Sequence, residues 1–404
     1  MSTQAIESLS EDTVRRIAEE RDEPEWLLET RLNALSALET AELPDVIQTP
    51  GRRWTDLEAL DFESLVDPLN QSDTTERSVG DDEVVVLPFT EAFDEYGDVI
   101  EANFGSVLDP EHNYLTALSV ALFTTGTFVY VPEGVDVEDV TVRAEMNSRS
   151  LFSQTLVVAE ESSSVTILES IEPGDGEVDG DRYFSNLVEI AAGENASVQF
   201  GSLQNLDDET YTYSLKRADV GVYGTVDWIE SNFGSKLTRS DVESELNGDG
   251  AESQIVGTFF GTEDQHFDIN ARVWHQAEHT TADLVTRGVL DDVARSVYEG
   301  VQDVGNDAWN TSSYQRENTL MLSDDAEADA SPKLIINNHD TEASHSATVG
   351  QVDAEDLFYL ESRSIDSHTA RNMLVEGFFV PVLEEIAVDE FRDDVEELVF
   401  ERLQ

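Results

Sequence analysis

The chain of 404 residues carries 87 Asp and Glu against 23 Lys and Arg, a formal net charge of -64, and no cysteine. Such a surface repels nucleic acid and anionic membranes, and the lack of thiols excludes disulfides, thiolate nucleophiles and thiolate metal ligands together. A hydrophobic content of 39% argues for a folded chain rather than an acidic disordered one, so the carboxylate surplus reads as adaptation to high salt, where counterions screen self-repulsion.

The opening MSTQAIESLSEDTVRR lacks the charge-then-apolar order of a signal peptide, and no apolar run approaches the length of a membrane span. A soluble, cytoplasmic protein is expected. From Ser10 to Phe123 the pattern is mostly helical. Asp22 with Glu25 three residues later reads as a capping box with Pro24 in the first turn, and Leu28, Leu32, Leu35 and Leu38 recur at helical spacing. Residues 71–83 are polar, with two acidic clusters, and read as a linker. A short strand over Val84–Leu87 and helices over Phe93–Phe104 and His112–Phe123 complete an amino-terminal region of residues 1–123.

From Thr124 the period drops to two. Strands are predicted over Thr127–Val131, Leu156–Ala159, Val165–Glu169, Ser197–Gly201, Val226–Ile229, Gln254–Phe259, Phe267–Trp274 and Ala294–Gly300, separated by Gly, Asp, Asn and Ser turns. VVAEESSSVTI (157–167) and IAAGENASVQF (190–200) repeat one strand, polar turn, strand pattern 33 residues apart, and NGDGAESQIVG (247–257) carries a looser version. Short strands repeating without helices between them suit a β-solenoid, whose coils cover one another's apolar faces; a sandwich fits the same periodicity. This core spans residues 124–350. Helical spacing returns over 351–404: Asp353 caps a helix through Arg363, Asp366 caps one carrying Ala370, Met373, Leu374 and Phe378, Pro381 interrupts it, and Phe391, Val395, Leu398 and Val399 mark a last amphipathic helix.

His275-Gln276-Ala277-Glu278-His279 matches the H-x-x-E-H pattern of inverted zinc proteases. That chemistry needs a helix, on which residues four apart share one face. Here Phe267, Ile269, Ala271 and Val273 alternate as a strand, on which residues four apart stand about 13 Å from each other, too far to share one zinc ion. The two histidines are instead expected at the edge of the core with their hydrogen bonds satisfied. G-x-x-x-x-G-K-[ST], G-x-S-x-G and G-x-G-x-x-G do not occur, so the chain has no phosphate cradle of its own for ATP. Among 87 carboxylates, chance acid pairs are expected, and a solvated acidic face explains them.

The stretch KLIINNHDTEASHSATVGQVDAEDLFYLESRSIDSHTARNMLVEG joins a polar histidine segment to a helical tail. In Pro332, Leu334, Ile336, Asp340, Ser344, His345, Ala347, Thr348, Val349, Gly350, Asp353, Leu357, Phe358, Tyr359, Leu360, Ser362 and Arg363 it resembles the SufB/SufD family of iron-sulfur cluster assembly scaffolds. GTFVYVPEGVDVE (126–138), TRGVLDDVARSVYEGVQDV (286–304), YQRENTLMLSDDAEADASPKL (314–334) and EPEWLLETRLNAL (23–35) extend the likeness over most of the chain. Without the longer amino-terminal extension usual in SufB, the chain is more similar to SufD. Three positions depart from the family block: Ala343 replaces the usual cysteine, Ser346 a glycine and His339 an acidic residue. A thiol role there is excluded, while a role for His345 survives.

The resemblance implies a right-handed parallel β-helix between helical regions and a non-catalytic scaffold subunit without catalytic residues. It implies pairing with a SufB-like paralogue, a SufC-like ABC-type ATPase bound by the carboxy-terminal helices, and a homodimer when the chain is alone. It further implies no tightly bound cofactor, and iron or a nascent iron-sulfur cluster held transiently with His345 as candidate ligand at the paralogue interface. Neutral imidazole is a good iron donor. A hydrogen-bonded structural role in the last core strand is the competing reading of His345. Two other functions remain open: a SufB-like cluster host, disfavoured by the lack of cysteine, and a β-helix carbohydrate-active enzyme using paired carboxylates.

Overall fold

The computed structural model describes residues 9–50, 52–80, 83–176, 178–386 and 388–404. Residues 1–8, at the start of the segment inspected for a leader, lie outside the described residues. The amino-terminal region contains helices α1 (Glu11–Glu20), α2 (Glu25–Ala37), α3 (Phe62–Leu65), α4 (Phe89–Asn103) and α5 (Tyr114–Leu122). It also contains strands β1 (Gln48–Thr49), β2 (Arg52–Arg53), β3 (Asp73–Val79) and β4 (Val85–Pro88). The helix at Pro24 starts differently from its predicted box: Asp22 adopts φ 52° and the N-cap is Pro24, without a side-chain bond. Glu23 is instead drawn to the buried Arg31, whose guanidinium donates to both of its oxygens at 2.7 Å and to the carbonyls of Val120 and Phe123. The most buried row of α2 is Leu27, Arg31 and Ala34, and the predicted leucines flank it.

Part of the predicted linker is a strand. β3 pairs antiparallel with β6 (Asp136–Met146) from Asp73↔Met146 to Val79↔Val140; Asp81 and Asp82 lie outside the described residues. Its side chains are polar on both faces, so no apolar alternation betrays it, and its backbone covers an edge that would otherwise stay unpaired.

The solenoid consists of β5 (Thr125–Val131), β6, β7 (Ser150–Ala159), β8 (Ser164–Pro173), β9 (Arg182–Ala192), β10 (Ser197–Gln204), β11 (Thr210–Val220), β12 (Thr225–Asn232), β13 (Leu237–Leu246), β14 (Glu252–Gly261), β15 (His266–His275), β16 (Thr281–Leu290), β17 (Arg295–Val304), β18 (Thr311–Met321), β19 (Glu327–Ile336) and β20 (Thr341–Gln351). Odd strands form one sheet that starts at β4 and ends at β19; even strands form the other, from β3 to β20. Neighbours within each sheet are parallel except at the β3–β6 and β4–β5 starts. This is a β-solenoid of about eight turns, and the sandwich alternative falls because its antiparallel pairing is confined to these two caps.

One turn position recurs in successive coils with left-handed backbone: Gly134, Ser162, Asn195, Tyr223, Gly250 and His279. Its N–H donates to the next coil, as in Ser162 N to Glu194 O at 2.9 Å, Asn195 N to Val222 O at 2.7 Å and Tyr223 N to Asp249 O at 3.0 Å. The 33-residue repeat seen in the sequence is the step from Ser162 to Asn195.

The core is built of rows in which each coil contributes one inward residue. In the even sheet, register aligns Val140, Ile167, Phe200, Trp228, Ile255 and Leu284, all buried. A parallel row is polar and includes Glu169, Ser202 and Glu230. Lys216 answers it from the odd sheet, donating to both Glu230 oxygens at 2.7 Å. Outside the even sheet pack the carboxy-terminal helices α6 (Ala354–Ser362), α7 (Ser367–Leu383) and α8 (Asp389–Arg402), of which α7 and α8 bury Phe379, Phe391 and Val395 against Leu168, Leu203 and Phe260. Outside the odd sheet, α5 covers Phe152, Tyr183 and Leu187. The segment after α2 runs on beyond it: Thr55 Oγ1 is 3.1 Å from His266 Nε2, and Arg52 pairs with Glu327 at the start of β19.

Candidate functional site

The two ends of the solenoid differ. β3 and β4 close the first coil, whereas β19 and β20 end their sheets with no further strand paired to them among the described residues. An uncovered pair of strand edges is a template for another chain. At this end Ile335, Ile336 and Val349 are exposed, and α6 projects beside it with no buried residue and Phe358 71% exposed. Apolar side chains left in water next to free backbone edges are the features of a surface suited to docking.

His345 lies on β20 in register with Gln315. It therefore continues the inner row of Ile255, Leu284 and Gln315, and is the first imidazole in that row. No ninth coil covers it, so it is exposed and makes no side-chain hydrogen bond among the described residues. The structural reading, in which the fold satisfies this imidazole, has no such bond to rest on. His339, in the turn between β19 and β20, is also exposed. Ala343 and Ser346 flank His345 on the same strand.

Beneath this last coil the inner face of β18 is polar at every alternate position: Thr311, Ser313, Gln315, Glu317 and Thr319 are all buried. Gln315 Nε2 donates to Lys333 O at 3.0 Å, and its Oε1 has no partner. Glu317 accepts from the Thr319 hydroxyl through Oε1, and its carboxylate also draws on the Thr348 backbone N–H. Burial pushes the Glu317 carboxyl up to about 7. Sequence reasoning missed these residues. The signal was the polar alternation in TSSYQRENT, which becomes legible as interior only when the register is known.

The two histidines of the H-x-x-E-H motif do not meet. His275 ends β15 and points inward, 0% exposed, with Nδ1 2.8 Å from the Thr280 hydroxyl and Nε2 3.1 Å from Gln302 Oε1. Burial lowers its pKa to about 4, so the ring is neutral. His279 occupies the left-handed turn position at φ 62°, exposed, with Nδ1 2.7 Å from Asn310 Nδ2. The motif straddles a strand end and a turn rather than lying along one strand, and its hydrogen-bonded reading holds. Among the described residues no group of three or more His, Asp or Glu is placed to hold a metal ion by itself.

A second surface lies on the tail. The stripe read from the sequence, Phe391, Val395 and Val399, is buried on the chain's own sheet rather than free for docking. What remains open is the other side of the helix pair, a groove of about 480 Å³ lined by Met373, Val380, Leu383, Glu396 and Phe400. Phe400 at its rim is 53% exposed. Among the described residues no helix is long and apolar enough to cross a membrane.

Comparison with known proteins fits this geometry. Residues 141–378 match the family model described as "SUF system FeS cluster assembly, SufBD core domain", and residues 63–142 match "SufBD protein N-terminal region". The chain is 30% identical to the iron-sulfur cluster assembly protein SufD of Bacillus subtilis over 95% of each chain. It is 27% identical to iron-sulfur cluster assembly SufBD family proteins of Staphylococcus saprophyticus and Staphylococcus epidermidis, over 94% of this chain and 90% of theirs.

Proposed function

The chain belongs to the SufB/SufD family of iron-sulfur cluster assembly proteins and is most like SufD, and from that premise we propose that it is the scaffold subunit of a cytoplasmic SufBCD-like complex. In this reading the open end coil pairs with the equivalent coil of a SufB-like paralogue, and His345 serves as a transient ligand for iron or a nascent cluster between the two chains. The observation that carries it is the exposed imidazole on the inward row of a coil whose two strands have free edges. When the paralogue is absent, the same face pairs two copies of the chain about a two-fold axis, the symmetric arrangement commonest among homo-oligomers.

The groove beside Phe400 is the docking surface for a SufC-like ABC-type ATPase, since an apolar groove on a rigid helix pair suits a partner helix. ATP hydrolysis belongs to that partner: the chain itself lacks a Walker-type phosphate loop. The test is co-purification in molar potassium chloride with the paralogue and the ATPase, followed by anaerobic cluster reconstitution. His345→Ala is expected to retain both partners and its melting temperature while cluster formation falls, with His339→Ala as the neighbouring control. Reconstitution at the wild-type rate by His345→Ala removes the ligand role.

A further inference from the structure

The closed end of the solenoid has a polar inner face where the next coil is apolar. Half-buried and exposed residues alternate along β3, and Asp73, Thr75 and Arg77 take the inward positions opposite Met146, Ala144 and Val142 of β6. Met146 and Val142 are buried. Covering a sheet edge takes only the backbone of β3, so the edge does not account for its polar inward side chains. Together with Arg21 after α1, the first turn of α4 and the start of β5, they line a cavity of about 190 Å³.

Two arginines share this cavity without a carboxylate bound to either. Arg21 donates through Nε to Thr124 O at 3.0 Å, and Arg77 donates to Thr127 Oγ1 and Gly126 O, both at 2.9 Å. Neither forms an ion pair among the described residues, in a chain with 87 Asp and Glu. Burial disfavours the charge on both guanidinium groups, and Arg31 adds to this at Arg21. Each guanidinium has five N–H donors, so both keep several for the cavity. The carbonyls that hold them belong to residues two apart in the chain, about 6.6 Å along an extended backbone. One oxyanion between the two groups reaches both.

The charges around the cavity limit what it can hold. Glu23 is taken by Arg31, which donates to both of its oxygens at 2.7 Å. Asp73 Oδ2 accepts from the Thr125 hydroxyl at 3.1 Å and from the Thr75 hydroxyl, and it stands opposite both free arginines. Glu20 pairs with Arg16 in solvent, and Glu91 is exposed. Arg21, Arg31 and Arg77 against Glu23 and Asp73 leave a single positive charge. The rest of the wall is apolar: the Phe89 ring lies 6.1 Å from those of Phe93 and Phe123. An apolar cavity of about 150 Å³ holds a benzene ring, so this one admits a ring-sized body with a small headgroup and is too small to enclose a nucleotide.

We propose that the cavity at the closed end of the solenoid binds a small monocarboxylate with an apolar body, its carboxylate between Arg21 and Arg77 and its body against Phe89, Phe93 and Phe123. Guanidinium forks match carboxylate oxygens in geometry and charge, and the single residual charge selects a monoanion over a dianion. The site lies at the opposite end from His345 and does not rest on the scaffold role.

The full-length chain in molar potassium chloride, which screens the surface carboxylates, is titrated calorimetrically with benzoate as the probe. Acetate, phenyl phosphate and benzyl alcohol are the comparison ligands. One benzoate per chain is expected, bound about tenfold or more tighter than each of the three. Arg21→Gln and Arg77→Gln should each weaken benzoate binding by about tenfold or more. Asp73→Asn keeps an oxygen for the threonine hydroxyls and removes the opposing charge, so it should tighten binding by about tenfold; this gain decides the matter even if an arginine variant fails to fold. Glu76→Gln, on the outward side of β3, should bind as wild type. Absence of saturable benzoate binding by the wild-type chain overturns the site, as does Asp73→Asn that binds no tighter than wild type or no tighter than Glu76→Gln. Phenyl phosphate bound as tightly as benzoate overturns the choice of a monocarboxylate.

Discussion

Two buried residues make the fold sensitive to single changes. Lys216 is enclosed inside the solenoid with Glu230, and Glu169 nearby is held by Asn186 and Ser202. Removing one partner strands the other charge in a medium that cannot solvate it. Lys216→Ala is therefore expected to destabilise the chain by about 3–5 kcal/mol in denaturant unfolding, and the double change Lys216→Met with Glu230→Gln by less than the single one. His275 gives a pH test. Its folded pKa, about 4, lies below the ordinary value of 6.5, so the unfolded chain takes up the proton first as pH falls. Its contribution is intact above pH 6.5 and is lost progressively down to about pH 4. The loss is roughly 3 kcal/mol at 1.36 kcal/mol per pH unit. Melts of His275→Gln should be flatter than wild type across that window, and parallel curves would show that the imidazole does not stay neutral in the fold.

Among the elements, α7 and α8 bind their own sheet with one face and leave the other open. Phe379 is 0% exposed against Phe260 in an edge-to-face pair at 6.4 Å. Phe379→Ala should cost about 3–5 kcal/mol through the cavity it leaves. Phe400→Ala, at the rim of the groove, should change stability by no more than about 0.5 kcal/mol and yet weaken capture of the ATPase in a pull-down. Unchanged capture would place that docking surface elsewhere. Deletion of Asp389–Gln404 cannot separate the two effects, because it also uncovers Leu168, Leu203 and Phe233 and releases Arg402, which donates to Phe233 O at 2.6 Å.

For the molecule as a whole, the net charge of -64 opposes compaction wherever it is unscreened. Lys216, Arg217 and Arg239 are buried against Glu230, Glu243 and Asp241, so these cations are not free to neutralise carboxylates on the surface. Lowering potassium chloride from 1 M to 0.1 M lengthens the Debye distance from about 3 Å to about 10 Å, and the midpoint of thermal unfolding should fall across that series. A midpoint that stays level or rises as salt is withdrawn would contradict salt adaptation.

Local chemistry written along the chain determined the period-two core, its polar turns, the helices at both ends and the ordered block around His345, because alternation, caps and motif order need no distant partner. Tertiary structure alone decided which residues share a row. The step between turn positions varies from 27 residues (Tyr223 to Gly250) to 33 (Ser162 to Asn195), so no fixed repeat aligns Leu284, Gln315 and His345; only the hydrogen-bonded register does. The same holds for β3, whose polar strand is specified by the edge it covers, and for the tail, whose apolar stripe is the same in sequence whether it meets a partner or its own sheet. Row membership, edge pairing and the choice of buried face depend on contacts between distant segments. They were therefore settled when the coils stacked.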